Sequence, residues 1–461
     1  MIFFLLSYSI CSLEVIDRKQ PNNAINQRRA LKIKSNNGKI RSDTLRDNCV
    51  APLNPPSPFV PADTINENIY KLRLVQLVIN HGSSAPSTAF LPHDQRGSWS
   101  CGSPEVFSHY ESIFSSSNKD SYTALDRSRR IRHTIDPRLS DFPPSCNPGD
   151  LLIQGFEEQY KLGLMYHNLY INTLHFLPDQ YFDSTLLYVH ATNSQNSIDS
   201  AISFMQGFYN PLNSNEILSI EKGGTTRDHF HPQSSTCQDL QKEDLEFKAS
   251  DAFKTYANET NYKIRPLYDY LNISFKKDDF TRIDKMCDFL ISGYCNENLF
   301  LPNETLFDDV FDTCMQFNKF MLTDRFAFTQ KGIAGSSVMR ELNKMRNDFF
   351  SSNDRSDSGG YINGKRFQLI STHESAIVSL LLLFTGDKIG KNDVTGIYGP
   401  PPTSHLAFEV YENIESYELF MRIIYNGKEV KLFGEDKTFL TVHEITHRIS
   451  PLIKYCNEFD I

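Results

Sequence analysis

The chain has 461 residues, with 47 Lys and Arg against 56 Asp and Glu, for a formal net charge of -9. That length suffices for one large α/β domain with insertions or for two or three smaller units. The acidic balance argues against nonspecific nucleic-acid binding, which needs clustered cations for phosphate contacts, and disfavours polyanionic ligands unless cations are gathered locally.

Residues 2–12, IFFLLSYSICS, form an apolar run followed by small residues, as in the core of a secretory signal, though without the usual basic start. The run is short for a bilayer span, so residues 1–16 are expected to be a signal, with a short anchor or a misplaced start codon as alternatives. Residues 17–68 are polar, Asn-rich and basic and then Pro-rich, which predicts an unstructured stem. Membrane contact is expected only through this N-terminal region. No later apolar run, the longest being 377–384, approaches the length of a span.

Residues 71–86, KLRLVQLVINHGSSAP, read as a buried strand that stops at His81, Gly82 and Pro86. The carboxyl edge of a sheet is where open α/β folds usually bind ligands. Taken alone, His81 reads sooner as a structural imidazole that satisfies a buried carbonyl than as a catalytic group. Residues 87–147 lack periodicity and read as a long loop excursion. Over 150–170, Leu152, Phe156, Gln159, Tyr160, Gly163 and Tyr166 recur at helical spacing, and Gly155 and Gly163 are expected to mark close packing or helix edges.

A second strand at 184–190 and a helix at 197–208 follow. Residues 221–347 then change character to aromatic-rich helices and read as an inserted helical cap. A surface loop at 351–365 leads into a strand at 367–371, the pair His373 and Glu374, and an apolar helix at 375–384. Strands at 406–411 and 418–425 precede a hairpin turn at Asn426 and Gly427. The predicted fold is therefore α/β, a mixed, mostly parallel sheet flanked by helices, with its core in 69–220 and 348–461.

Of nine cysteines, Cys11 lies in the leader, and the remaining eight have wide spacing with no C-x-x-C pair. This suits disulfides of the secretory pathway better than zinc or dithiol chemistry. Asn258, Asn272 and Asn303 begin N-x-S/T sequons, so all three are expected on the surface as glycan acceptors.

Two strand-to-helix junctions far apart in sequence each carry chemistry, His81 early and His373-Glu374 late. If the two strands are neighbours, two imidazoles and a carboxyl converge, which suits a His nucleophile, a second His as hydrogen-bond donor and a Glu as proton donor. The same trio could ligate zinc, although neither a His-x-x-x-His pair nor a second carboxylate accompanies it.

These motifs resemble the histidine acid phosphatases, the acid branch of the histidine phosphatase superfamily. NHGSSAP at 80–86 is similar to the family's R-H-G-x-R-x-P, and STHESAIVSLLLLFTG at 371–386 to its H-D/H-E segment. The resemblance continues in order through Gly149, Gly155, Gln159, Leu162 and Gly163, through ATNSQNSIDSA at 191–201, and through FEVYENIESYELFMRIIYNG at 408–427. The stem, IDKMCDFL at 283–290 and PNETLFDDVF at 302–311 look nearest to the 2-phosphoxylose phosphatase branch, which dephosphorylates a proteoglycan linker in the Golgi. The resemblance implies His81 as the nucleophile, His373 as a phosphate ligand and Glu374 as the proton donor. It also implies a phosphorylated small molecule or glycan as substrate, with no metal or cofactor.

The departures matter equally. Where the family has phosphate-binding arginines, this chain has Asn80, Ser84 and Asn196, all neutral. A guanidinium holds a phosphate dianion by charge-assisted paired hydrogen bonds, and losing one such donor typically costs about 10² to 10³ in rate. Arg73 and Arg96, the nearby alternatives, are expected at surface or structural positions. Two readings follow, a secretory-pathway protein of this fold with reduced or lost phosphomonoesterase activity and a binding or scaffolding role, or an active acid phosphatase working through a phosphohistidine.

Overall fold

A computed structural model describes residues 49–56, 69–87, 99, 101, 146–178, 184–209, 219–224, 228–231, 237–270, 273–274, 280–296, 304–324, 333–351, 364–385 and 399–453. The expected signal, most of the expected stem and nearly all of the loop excursion after β1 lie outside them.

Among the described residues, eight strands form one sheet. They are β1 (Tyr70–Asn80), β2 (Leu187–Ala191), β3 (Glu221–Lys222), β4 (Phe367–Thr372), β5 (His405–Asn413), β6 (Leu419–Tyr425), β7 (Lys428–Glu429) and β8 (Phe439–Thr441). The order is β3-β2-β4-β1-β5-β6-β7, with β8 on β6. The half containing β3, β2, β4 and β1 is parallel, and β5 to β8 continue it antiparallel. The sheet is thus mixed, as the alternation of strand and helix patterns predicts.

Ten helices occur among the described residues: α1 (Ile153–His167), α2 (Gln195–Phe208), α3 (Gln238–Ala249), α4 (Asp251–Lys263), α5 (Arg265–Tyr270), α6 (Thr281–Cys295), α7 (Glu304–Lys319), α8 (Ile333–Ser351), α9 (Glu374–Thr385) and α10 (Val442–Ile449). The period-2 alternation of β1 divides them between two faces. Val75, Leu77 and Ile79 pack with Leu162, Tyr166, Phe204 and Phe208 of α1 and α2. Leu74 and Val78 pack with Val338 and Leu342 of α8 and with Ile377 and Leu380 of α9. With apolar layers on both faces, a central strand becomes the continuous apolar run seen in the sequence. The buried polar residue within the run is satisfied in register, Gln76 Nε2 donating to Gln368 Oε1 at 2.8 Å and to the Leu342 carbonyl at 2.9 Å.

Helices α1 and α2 approach through glycine. A Cβ on Gly163 would lie 2.0 Å from the Phe204 carbonyl, and one on Gly207 2.1 Å from that of Tyr160. Gly155 does the same work at the site, where a Cβ would lie 2.3 Å from the Ser83 carbonyl. The hairpin after β6 turns at Asn426 and Gly427, with φ of 47° and 82°, the left-handed pair a two-residue loop requires.

Helices α4, α6 and α7 form a separate apolar cluster around Phe253, Met286, Phe289, Leu290, Phe311 and Phe317. Helix α8 belongs with the sheet, its Gly335 set against the Ser379 carbonyl of α9. Disulfides join Cys49 to Cys295, Cys101 to Cys146 and Cys287 to Cys314, and Cys237 is also disulfide-bonded. Residues 49–56 correct the reading of 17–68 as an unstructured stem throughout. Cys49 is covalently tied to α6, and the Ala51 amide donates to the Pro402 carbonyl at 2.9 Å. A crosslink so distant in sequence restricts this segment in a way its own apolar content could not. Among the described residues, no helix is long and apolar enough to cross a membrane.

His405 begins β5 fully buried, its Nδ1 3.3 Å from the Thr403 carbonyl and its Nε2 without a partner. Burial pushes its imidazole down to about 4. The folded state therefore binds fewer protons than the unfolded state below about pH 6.5, and stability is lost as pH falls from there toward 4. The loss at pH 4 amounts to about 3 kcal/mol from this residue. Urea unfolding of His405→Gln should show a pH profile flatter by about that amount across this window. Parallel profiles for the two proteins would refute the assignment.

Candidate active site

Strands β1 and β4 are adjacent and parallel, with Asn80 opposite Thr372. The residues that follow each strand therefore emerge at one sheet edge. The His81 amide donates to the Thr372 carbonyl at 3.2 Å, and the His81 carbonyl accepts from the Thr403 amide at 2.9 Å, which fixes the backbone under the ring. His81 Nδ1 lies 2.8 Å from the Gly82 carbonyl. A carbonyl can only accept, so Nδ1 carries a proton, and in the neutral ring the lone pair lies on Nε2.

The loop is anchored from below by α1. The Ser83 amide and hydroxyl both donate to the Glu158 carboxylate, at 2.9 and 2.8 Å. Gln154 Nε2 and Thr403 Oγ1 also donate to Glu158, at 2.9 and 3.1 Å. Burial raises the Glu158 carboxyl above its ordinary value, and these four bonds oppose that shift. Gly82 donates to Ser200 Oγ at 3.1 Å, and a Cβ on it would lie 2.5 Å from the Gly155 carbonyl. Only glycine lets the loop and α1 approach so closely.

His373 and Glu374 stand at the start of α9. The His373 ring meets His81 edge-on at 5.3 Å between centroids. A third imidazole, His231, lies tilted against His373 with 4.0 Å between ring centroids. His231 is held in place by its neighbour, since the Phe230 carbonyl accepts from Thr372 Oγ1 at 2.7 Å. Thr192 Oγ1 and Ser194 Oγ lie 3.2 and 3.4 Å from His373 Nε2. Burial, then the neighbouring His231 and His81, depress His373 well below the usual imidazole range, so it is neutral at physiological pH. His231 is also lowered by burial, against the opposing pull of Asp228 and Glu374.

The sequence-predicted trio is thus brought together, with candidate donor atoms of His81, His373 and Glu374 all within 4.8 Å of one another. That spacing is also compatible with a shared metal ion, while His373 Nε2 faces two hydroxyls. His231, Thr192 and Ser194 escape sequence reading. The histidines in the segment HFH at 229–231 have no spacing that singles out either one.

The three arginine positions present no cation. Asn80 is buried, and its Nδ2 donates to the Pro401 carbonyl at 3.2 Å. Ser84 pairs by its backbone with Leu151, and its carbonyl accepts from Ser292 Oγ at 2.6 Å. Asn196 Oδ1 accepts from the Ser197 amide at 2.8 Å. Arg73 pairs with Glu412 at the far end of β1, and Arg96 lies outside the described residues. Among the described residues, the charges that shift His373 are histidines, with no Lys or Arg. Of the sequon asparagines, Asn258 is exposed on α4, and Asn272 and Asn303 lie outside the described residues.

Residues 71–426 match the family described as the histidine phosphatase superfamily, branch 2. The chain belongs to that family. A Dictyostelium discoideum protein named probable acid phosphatase is 31% identical over 150 residues, 32% of this chain and 25% of that protein. The chain therefore spans about a quarter of the length of the first curated relatives it matches. The phytase of Hafnia alvei superposes with a TM-score of 0.52 at 12% identity, covering 85% of this chain and 98% of the phytase. A multiple inositol polyphosphate phosphatase of Bifidobacterium longum gives 0.51 at 14% identity, covering 88% and 97%. At these identities the structural likeness speaks for the fold alone.

Proposed function

We propose that this chain is a histidine phosphatase-fold protein of the secretory pathway whose phosphomonoesterase activity is reduced or lost, and which serves a binding or scaffolding role. The observation that carries this reading is the neutral pocket. Asn80 and Asn196 spend side-chain contacts on nearby backbone, and a neutral His373 adds no charge. Glu374 lies beside the imidazoles without an arginine at any of the three expected positions. A phosphoryl group in flight concentrates negative charge on its oxygens, and catalysis of its transfer is mostly positioning and electrostatic stabilisation. The disulfides suit an oxidising compartment and support the secretory placement.

A second reading, an active acid phosphatase acting on a phosphorylated small molecule or sugar, is favoured by the trio itself. His81 Nε2 would attack phosphorus in line, Glu374 would protonate the departing oxygen, and water would then hydrolyse the phosphohistidine. His373 would supply a further hydrogen bond to the ester.

The two readings separate in one assay. With para-nitrophenyl phosphate at acid pH, the purified chain is expected to turn over little or no faster than its His81→Ala variant. Clear turnover that His81→Ala abolishes, together with a labelled phosphohistidine on rapid quenching, would overturn the first reading in favour of the second.

A further inference from the structure

On the opposite side of β6 from the helices α1 and α2, a cavity of about 450 Å³ opens between α8, the start of β6 and α10. Its size is that of a small-molecule site. Arg346 of α8 lines it and is only 3% exposed. Its Nη2 reaches Thr446 Oγ1 at a long 3.5 Å, and its Nη1 has no partner. Burial pulls the guanidinium down to about 10, with no carboxylate opposing the shift. Every other described arginine with so little exposure fares differently, since Arg422 is paired with both Glu409 and Glu429.

A buried cation without a counterion is among the costliest features a fold can carry. Among the described residues, neighbouring groups do not relieve it. Glu418 lies at the cavity wall, exposed, and forms no ion pair with Arg346. Asn343 Oδ1, also at the wall, is buried and unpartnered, an acceptor waiting for a donor. Leu419 and Val442 give the cavity an apolar side, and His443 stands exposed at α10.

We propose that this cavity is a binding site for a small organic oxyanion, a carboxylate or phosphate held by Arg346, carrying a hydroxyl or N–H donor for Asn343 and an apolar body against Leu419 and Val442. The guanidinium offers the anion the charge-assisted bonds that Thr446 alone cannot return. The site is independent of the His81 edge and holds whichever reading of that edge is right.

The test uses the full chain in a His81→Ala, His373→Ala background, so that anion bound at the sheet edge is not counted. Inorganic phosphate and 3-hydroxybenzoate serve as probes, the first an oxyanion alone and the second a carboxylate with a donor and an apolar ring. At least one is expected to raise the Tm saturably, with half-maximal effect below about 10 mM. Arg346→Met, which keeps the aliphatic stem and removes the charge, should weaken that effect at least about tenfold while leaving the probe-free Tm equal or higher. His443→Glu, an exposed change that brings a carboxylate to the cavity, should weaken it likewise, which covers the case that Arg346→Met fails to fold. Stronger response to phosphate assigns a phosphoryl ligand, and stronger response to 3-hydroxybenzoate a carboxylate. No saturable response to either probe, or a response unchanged in both variants, would overturn the proposal.

Discussion

The double substitution Ser84→Arg, Asn196→Arg is expected to raise hydrolysis of para-nitrophenyl phosphate at acid pH by about 10²-fold or more over the wild-type chain. Two guanidinium groups would return positive charge to an edge where His81 Nε2 is already free and Glu374 already stands nearby. Each such donor is worth about 10² to 10³ in rate, and the pair will not multiply cleanly because both act on one phosphoryl group. Ser84 is half-buried and Asn196 lies at the start of α2, two residues from Ser194, which itself reaches His373. Asn80 is the poorer choice for repair, since it is 2% exposed and bonded to the Pro401 carbonyl. Adding His81→Ala should abolish the gain. If the double variant folds and its rate stays at the wild-type level, missing arginines are not what limits the site, and the proposed loss of function needs another cause.

Arg422→Met is expected to destabilise the fold by about 3–5 kcal/mol. Arg422 Nε donates to Glu409 Oε2 at 2.6 Å and Nη1 to Glu429 Oε1 at 2.9 Å, and both Arg422 and Glu409 are essentially unexposed. Tyr170 and Tyr411 each donate to Glu409 at 2.7 Å. Burial alone would lower the guanidinium, but Glu409 and Tyr411 beside it hold its proton more firmly than usual. Removing the arginine leaves Glu409 charged, dry and supported only by two hydroxyls, the costly half of a broken pair. Urea unfolding at neutral pH reads the loss. Adding Glu409→Gln to Arg422→Met should recover part of it, because the stranded charge is gone. A loss under about 1 kcal/mol in the single variant would show that the pair contributes little.

Much of the sheet was legible because its strands are buried on both faces. Apolar runs such as LRLVQLVI can be read without knowing their partners, and the turn residues Asn426 and Gly427 announce the hairpin that β6 and β7 make. Gly163 was likewise readable as a close approach, though only the structure names Phe204 as the reason. The stem was overextended because composition cannot see a disulfide, and Cys49 fixes residues that look unstructured by content. His231 was illegible for a similar reason. Nothing in its local sequence distinguishes it, and it joins the site because Thr372 bonds to Phe230.

By itself the sequence determined the family motifs, the identity of His81, His373 and Glu374, and the neutrality of residues 80, 84 and 196, since residue type and order need no coordinates. Only the tertiary structure decided that β1 and β4 are neighbours, so that the two histidines meet at one edge. It also decided that Asn80 and Asn196 turn to backbone partners, that burial keeps His373 neutral, and that Arg346 is buried without a counterion among the described residues. Charge in a sequence is a count, whereas the energy of a charge depends on the water and partners left around it, and those are set only when distant segments pack.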